Sequence, residues 1–175
     1  SYIVRSDPKP EGAEYAEKYF SYDVRTASGV EIIDRLVEQL KKAQIHDVTL
    51  IGHSFGGIVA VGAARLLPEP FKPKVITLAT PFGGSSAASF LKILKPSSQF
   101  FDNVGRYGTF MRDFGSKPLP CRVRGIVTTA GGAEWVASEN DGVVSVASQL
   151  HYEHDPLWAG IRVEANHFEV LLLPK

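Results

Sequence analysis

The chain has 175 residues, a formal net charge of zero and 44% hydrophobic residues, as expected for one ordinary globular domain. The balanced charge gives no attraction for nucleic acid or an anionic membrane, so neither partner is expected. The single cysteine, Cys121, excludes an intrachain disulfide. No window is apolar for long enough to predict a membrane span, and no signal peptide opens the sequence, so the compartment stays open.

The first third of the chain predicts two strands and a helix. "YIV" (2–4) reads as a short strand and "AEYAEKYF" (13–20) as a short helix or irregular segment. "YFSYDVR" (19–25) alternates between apolar and polar residues as a strand does. A helix over 28–43 follows, where Ser28 with a glutamate three residues later forms a capping box.

The rest of the chain continues the alternation. "DVTLIG" (47–52) and "KVITLAT" (74–80) are continuous apolar runs, typical of strands covered on both faces, and a helix rich in small residues lies between them. "CRVRGIVTTA" (121–130) and "GIRVEA" (160–165) predict two more strands. This order predicts an α/β fold, with a mostly parallel central sheet and helices on both faces.

One edge of that sheet collects the polar residues of interest. Ligands of such folds bind beyond the carboxyl ends of the strands. Ser54, Thr80 and the loops after Ala130 and Ala165 all follow predicted strands, so we expect them to lie at this edge.

Ser54 stands in "GHSFGG" (52–57), between a strand and a helix and flanked by glycines. A serine hydroxyl attacks a carbonyl only when a base takes its proton and donors hold the resulting oxyanion. A sharp strand-to-helix turn lifts the side chain above the sheet, over the free N–H groups of the helix. The backbone N–H of Phe55 is then the natural first oxyanion donor. The alternative is a serine that only caps the helix.

These residues resemble the G-x-S-x-G nucleophile elbow of the α/β-hydrolase superfamily, in its lipase and esterase branch. "LATPFGGS" (78–85), "ENDGVVSVASQ" (139–149) and "ANHFEVL" (165–171) resemble three further segments of that branch. The resemblance implies a triad of Ser54, Asp141 and His167, with His167 as general base and Asp141 as its orienting acid. It also implies a serine hydrolase that cleaves carboxylic esters of apolar acids. The expected substrate is a small-molecule ester or a lipid-like molecule, and contact with a lipid interface is compatible with this interpretation.

The residues leave alternatives for the acid and for metal binding. Asp-Gly in "NDGV" is also a common turn, and the rival acids are Glu134, Glu139 and Asp155. The segment "HYEHD" (151–155) reads as a metal site or, preferably, as a solvated loop. His53 is expected to be structural. Calcium-binding lipases of this group have an aspartate two residues after the histidine, where this chain has Glu169, so we expect no metal and no cofactor.

The segment 83–118 is rich in aromatic residues and has no clear strand. It is predicted as a lid or acyl-binding wall of the single domain 1–175, or else as ordinary core helix. Phe82, Phe90 and Phe110 are expected to contact substrate.

The family's "HG" segment, which carries the second oxyanion donor, does not occur. If "YIV" is the corresponding strand, the donor comes from Arg5 or Ser6; otherwise the early strand is missing or another donor serves. The alternatives in function are a thioesterase or amidase with the same triad, or an inactive hydrolase-like binding protein.

Overall fold

The structure is a computed structural model, and it describes residues 2–5, 17–85, 98–134, 136 and 138–172. Its strands are β1 (Tyr2–Arg5), β2 (Glu17–Phe20), β3 (Asp47–His53), β4 (Lys72–Leu78), β5 (Val123–Thr128) and β6 (Trp158–Val163). They form one six-stranded sheet in the order β2-β1-β3-β4-β5-β6. Strands β3 to β6 are parallel, whereas β1 is antiparallel to both β2 and β3.

The helices are α1 (Gly29–Ala43), α2 (Phe55–Leu66), α3 (Ser98–Val104), α4 (Thr109–Gly115) and α5 (Val146–Gln149), with a 3₁₀ turn at Glu169–Leu171. The mostly parallel sheet with its helices confirms the predicted α/β class. No helix in the described part of the chain is both long and apolar enough to cross a membrane.

Helix α1 begins as the sequence predicts. The Ser28 hydroxyl accepts a hydrogen bond from the Glu31 N–H, and the Glu31 carboxylate accepts one from the Ser28 N–H. This capping box satisfies two N–H groups that a helix start leaves unpaired. Ile32, Leu36 and Leu40 then recur on one side of α1 and are buried against the rest of the core.

Close packing places α2 directly against the sheet. A side chain added at Gly52 would collide with the backbone of Gly56, and one added at Gly57 would collide with Thr80. Because these glycines have no Cβ, the helix can start immediately after the strand and pass close to the end of β4. The turn at Ser54 is therefore held tightly from both sides.

The main core lies between one face of the sheet and helices α1, α2 and α4. Val48, Leu50, Val75 and Val123 supply the strand side chains of this core. A smaller cluster, formed by Ala79, Ala165 and Val170, lies near the carboxyl ends of the strands. Arg65 connects α2 to the end of α4: it donates to the carbonyls of Phe114, Lys117 and Pro118 and lies over the Phe114 ring.

The start of the chain differs from its prediction. The second strand covers Glu17–Phe20, not 19–25, and the helical interpretation of 13–20 is wrong over the described residues 17–20. The strand ends early because the chain turns at Asp23, whose carboxylate accepts hydrogen bonds from the backbone and the side chain of Arg25. Local side-chain bonds of this kind compete with strand pairing.

The described part of the aromatic segment consists of α3, α4 and their connections. Val104, Met111 and Phe114 are buried in the main core, so this part packs as ordinary core helix. Asn103 anchors α3: its side chain accepts a hydrogen bond from the Gly29 N–H and donates to the carbonyls of Val24 and Ala27. The lid prediction for 86–97 lies outside the described residues.

Candidate active site

Ser54 occupies the joint between β3 and α2 with φ 54° and ψ −127°, a conformation that a non-glycine residue rarely adopts. Its N–H donates to the Leu78 carbonyl at 2.8 Å, which fixes the turn to the neighbouring strand. Its side chain makes no capping hydrogen bond. The alternative interpretation of Ser54 as a helix cap is therefore wrong, and the hydroxyl is left at the carboxyl edge of the sheet.

Phe55 is the first residue of α2, so its N–H has no partner within the helix. No backbone hydrogen bond from this N–H occurs within the described ranges, whereas the Ser54 carbonyl accepts one from Gly57 at 3.0 Å. The Phe55 ring packs between Tyr22 and Phe110. An N–H at the start of a helix, directly after Ser54 and without a helical partner, has the position that an oxyanion donor requires.

His167 and Asp141 form a buried pair, with His167 Nδ1 2.9 Å from Asp141 Oδ2. The two residues are 2% and 1% exposed. The carboxylate can only accept, so Nδ1 carries the hydrogen in the neutral ring and Nε2 has a free lone pair. The His167 N–H also donates to the Asp141 backbone carbonyl at 2.9 Å. One hydrogen bond from the ring and one from the backbone therefore fix His167 to Asp141.

Four further hydrogen bonds hold the Asp141 carboxylate. The N–H groups of Val143 and Val144 donate to Oδ1, at 3.0 and 2.7 Å. The hydroxyl of Thr128 and the amide of Gln149 donate to Oδ2, at 2.6 and 3.3 Å. Burial alone would raise the pKa of Asp141, but the hydrogen bonds from His167, Thr128 and Val144, with the His167 charge, hold it below its ordinary value.

Sequence reasoning missed Thr128 and Gln149. Thr128 is the last residue of β5 and Gln149 the last of α5, and Gln149 also donates to the Thr128 carbonyl at 3.0 Å. Gln149 is the last residue of the segment "ENDGVVSVASQ" (139–149), but nothing in that segment marks it as a partner of Asp141. Thr128 lies two residues before the end of the predicted strand 121–130, near the edge where the site was expected.

Hydrogen bonds within and between the loops after β5 and β6 hold the turn that contains Asp141 in place. The Gly131 N–H donates to the Asn140 carbonyl at 2.9 Å, and the Ala130 N–H to the Ala165 carbonyl at 3.1 Å. The Asn140 side chain accepts from Ala133 and donates to three backbone carbonyls of the same loop. The predicted meeting of these loops at one edge is present in the structure.

His53, the neighbour of Ser54, contacts the loop of His167. Its Nε2 lies 2.7 Å from the His167 carbonyl oxygen, and the two imidazole centroids are 4.7 Å apart. Burial, followed by the nearby His167, lowers the pKa of His53 to about 4, so the ring is neutral at pH 7.

The contact between His53 and His167 brings the histidine loop beside the nucleophile elbow. No hydrogen bond between Ser54 Oγ and His167 occurs within the described ranges. Such bonds are often long in free enzymes and shorten when substrate binds. The structure therefore joins Asp141 to His167 directly, and the His167 backbone to His53, the residue before Ser54.

A cleft of about 290 Å³ adjoins the pair of His167 and Asp141. Small residues of the loops after β5 form much of it, including Ala130, Gly131 and Ala133. Phe168, which is largely exposed, also lines it.

The predicted substrate contacts have different surroundings. Phe82 is 1% exposed, and its ring packs against Phe114, Tyr152 and Trp158 at centroid distances of 5.3 to 6.4 Å, inside the main core. Phe110 is half-buried against Phe55 and Phe114. Phe90 lies outside the described residues. Of the described pair, only Phe110 combines partial exposure with a contact to the elbow.

The expected second oxyanion donor is misplaced. Strand β1 is antiparallel to β3, and its register puts Arg5 opposite Thr49. Thr49 precedes Ser54 by five residues, which is roughly 16 Å of extended strand. Arg5 therefore lies towards the opposite edge of the sheet from Ser54, and its assignment as the donor is wrong. Ser6 lies outside the described residues.

Asp155, one of the rival acids, has a different role. Asp155 accepts hydrogen bonds from the N–H groups of Leu119 and Leu157, so it holds the turn before β6. Glu139 pairs with Arg162 at the surface, and Glu134 is exposed. Only Asp141 among the candidates bonds to His167.

The two histidines of the candidate metal-binding segment 151–155 have different surroundings. His151 Nε2 lies 3.0 Å from the Gly115 carbonyl, and the His154 side chain is exposed. No cluster of three or more histidine, cysteine or acidic side chains placed to hold a metal occurs within the described ranges.

Comparison with known families agrees with this geometry. The model described as "Alpha/beta hydrolase family" matches residues 6–173, nearly the whole chain. The chain belongs to the alpha/beta hydrolase family. This confirms the superfamily that the elbow motif indicates. Comparison with curated protein sequences gives no match.

Three solved structures share this alpha/beta hydrolase fold. A metagenomic carboxyl esterase has a TM-score of 0.55 and 18% identity over 82% of this chain and 52% of its own. A protein from a study of carboxylesterases of the thaumarchaeon Nitrososphaera gargenis has a TM-score of 0.52 and 15% identity, and the match covers 85% of this chain and 68% of that protein. A lipase-esterase related protein from Clostridium acetobutylicum has a TM-score of 0.52 and 15% identity, and the match covers 83% of this chain and 70% of that protein. The chain spans about half the length of the first of these proteins.

Proposed function

We propose that this alpha/beta hydrolase is a serine hydrolase that cleaves carboxylic esters of apolar acids. The observation that carries the proposal is the buried pair of Asp141 and His167, whose loop is bonded to the residue before Ser54. Ser54 has a strained backbone, and its hydroxyl makes no capping hydrogen bond to the helix, as a nucleophile at a strand-to-helix turn needs. Membership of the family and its esterase-named structural neighbours support the reaction class.

The proposed reaction proceeds in two halves. His167 Nε2 accepts the Ser54 proton as Oγ attacks the ester carbonyl, and the same proton then passes to the leaving alcohol. Water, activated by His167 in the same way, hydrolyses the acyl-enzyme and restores the Ser54 hydroxyl. Asp141 stays ionised, since its pKa is lowered, and stabilises the imidazolium that forms in each half.

The Phe55 N–H is the proposed first oxyanion donor, because it opens α2 beside Ser54 and has no helical partner. The aromatic pair of Phe55 and Phe110 supports an apolar acyl group, since these rings lie next to the elbow. The triad does not set the leaving group, so an acyl thioester or amide remains the alternative substrate within the same chemistry.

A fluorophosphonate probe tests the nucleophile. We expect the wild-type protein to be labelled and the Ser54→Ala variant to remain unlabelled, with the modified peptide containing Ser54. Ser85→Ala is the matched control, because its hydroxyl donates to the Val143 carbonyl and is buried. Equal labelling of wild-type and Ser54→Ala proteins would contradict the assignment. Rates on p-nitrophenyl esters, acyl thioesters and anilides then identify the leaving group.

The position of Arg5 favours a second candidate, a hydrolase-like protein that binds acyl ligands without turnover. Arg5, one of the two expected second donors, lies away from Ser54, and losing one such donor costs about 100- to 1,000-fold in rate. A folded wild-type protein that neither reacts with the probe nor hydrolyses any panel substrate, yet binds a fatty acid, would support this candidate.

A further inference from the structure

His53 makes a hydrogen bond whose direction is fixed by chemistry. Its Nε2 lies 2.7 Å from the His167 carbonyl oxygen, and a carbonyl can only accept. The hydrogen therefore belongs to Nε2, and the neutral ring is the Nε2–H tautomer. A ring in this form cannot accept a proton at Nε2, so this nitrogen of His53 acts only as a hydrogen-bond donor.

Three hydrogen bonds fix His167. Two run to Asp141, from the His167 N–H and from Nδ1, both at 2.9 Å. The third is the bond from His53 to the His167 carbonyl, and it is the one that reaches β3. Asp141 thus fixes the orientation of the imidazole, whereas His53 fixes how far the loop of His167 lies from the elbow.

We propose that His53 is a positioning residue, which uses its Nε2–H to hold the His167 backbone at the distance from Ser54 that proton transfer requires. The proposal rests on the proposed triad. His53 suits this role because it is the residue before Ser54 and because the Ser54 N–H is itself bonded to Leu78. Ser54 directly follows the end of β3, and the loop of His167 is bonded to that same end through His53.

Within the described residues, the hydrogen bond to the His167 carbonyl is the main polar interaction of the His53 ring. In the part of the chain that the structure describes, the groups that face the ring are the His167 and Phe168 rings, at 4.7 and 6.3 Å, and the charge of Asp141. The ring is largely buried and neutral at pH 7. A small displacement of a reacting group costs about 100-fold in rate, so loss of this bond should appear in kcat.

The wild-type protein gives the first test, which needs no enzymatic activity. Long-range ¹H–¹⁵N spectra of the histidine rings at pH 7 distinguish the two neutral tautomers. We expect His53 as the Nε2–H form and His167 as the Nδ1–H form. A His53 ring found as the Nδ1–H tautomer, or averaged between the two, would overturn the proposal whether or not the protein is an esterase.

The second test compares two variants. His53→Gln keeps a donor at similar reach, whereas His53→Leu keeps similar volume without a donor. We expect His53→Leu to lower kcat on a p-nitrophenyl ester about 10- to 100-fold with KM unchanged, and His53→Gln to remain within about threefold of wild type. Circular dichroism and thermal unfolding check that both variants fold.

The outcomes separate the two proposals. A wild-type protein without hydrolysis rejects the proposed function, and the tautomer measurement then decides on the His53 bond alone. An active wild type with equal losses in both variants, or with no loss in His53→Leu, overturns the positioning role. If His53→Leu does not fold, the rate of His53→Gln and the wild-type tautomer still decide.

Discussion

The two sides of β3 differ in how they are built and in what they contribute. On one side, β3 to β6 run parallel, and loops at their carboxyl ends converge on Asp141 and His167. On the other side, the four-residue β1 runs antiparallel to β3, so its far end, Arg5, leads away from Ser54. Parallel strands bring their carboxyl ends to one edge, and an antiparallel neighbour does not. The parallel side thus supplies Asp141 and His167, the proposed acid and base, while Arg5 on the antiparallel side lies away from Ser54.

The largest expected effect concerns the parallel side. Asp141→Asn keeps the shape of the acid but removes its charge and can donate a hydrogen to His167 Nδ1. We expect kcat to fall by roughly 10³- to 10⁴-fold, because the wrong tautomer of His167 is then favoured. Steady-state kinetics on a p-nitrophenyl ester measures this.

Thr128→Val is the companion variant for Asp141→Asn. It removes one of the hydrogen bonds to the carboxylate and leaves the charge in place. We expect a loss of roughly 10- to 150-fold, since a hydrogen bond to a charged group contributes about 1.5 to 3 kcal/mol and each 1.36 kcal/mol is tenfold in rate. Equal losses for Thr128→Val and Asp141→Asn would mean that the acid acts only through the local fold.

An intermediate effect is expected on stability in acid, through His53. Its pKa is about 4 in the folded protein and 6.5 ordinarily, so the unfolded chain takes up a proton in a range where the folded chain does not. The stabilisation is complete above pH 6.5, decreases as the pH falls, and is lost below about pH 4. Its full extent is roughly 3 kcal/mol.

Urea unfolding of wild type and His53→Gln between pH 7 and pH 4 measures this term. We expect wild type to lose roughly 3 kcal/mol more than the variant over this range. The comparison between the two proteins cancels the other titrating groups, including Asp141. Parallel curves for the two proteins would show that His53 titrates normally and is not enclosed beside His167.

The smallest effect is expected on the antiparallel side. Arg5→Ala should change kcat and KM by less than about twofold, because Arg5 pairs with Thr49 and lies far from Ser54. This variant removes only the Arg5 side chain and keeps its backbone N–H, so a loss of 100-fold or more would mean that the side chain acts at the site, against the contrast between the two sides of β3.

The sequence allowed more of the parallel side to be predicted than of the antiparallel side. The capping box at Ser28 and Glu31, the run of β3 and the serine turn depend on residues close together in the chain, so local pattern reveals them. The partnership of Asp141 with His167 could be predicted because two separate motifs carry these residues.

Other features depend on partners distant in sequence. The direction of β1 depends on its pairing with β3, some 45 residues away, and four residues carry no directional signal. Phe82 is in the core because Tyr152 and Trp158 surround it, which no local pattern shows. Thr128 and Gln149 support Asp141 through tertiary contacts alone.

The positive φ of Ser54 has a consequence for how the protein can change. Glycine adopts such a backbone freely, whereas a residue with a side chain holds it at a cost of about 1 to 3 kcal/mol. A Ser54→Gly protein should therefore be harder to unfold than Ser54→Ala, although neither has a nucleophile. Resistance to unfolding alone would favour glycine at this position, and under the proposed function the serine gives up part of that resistance for reactivity.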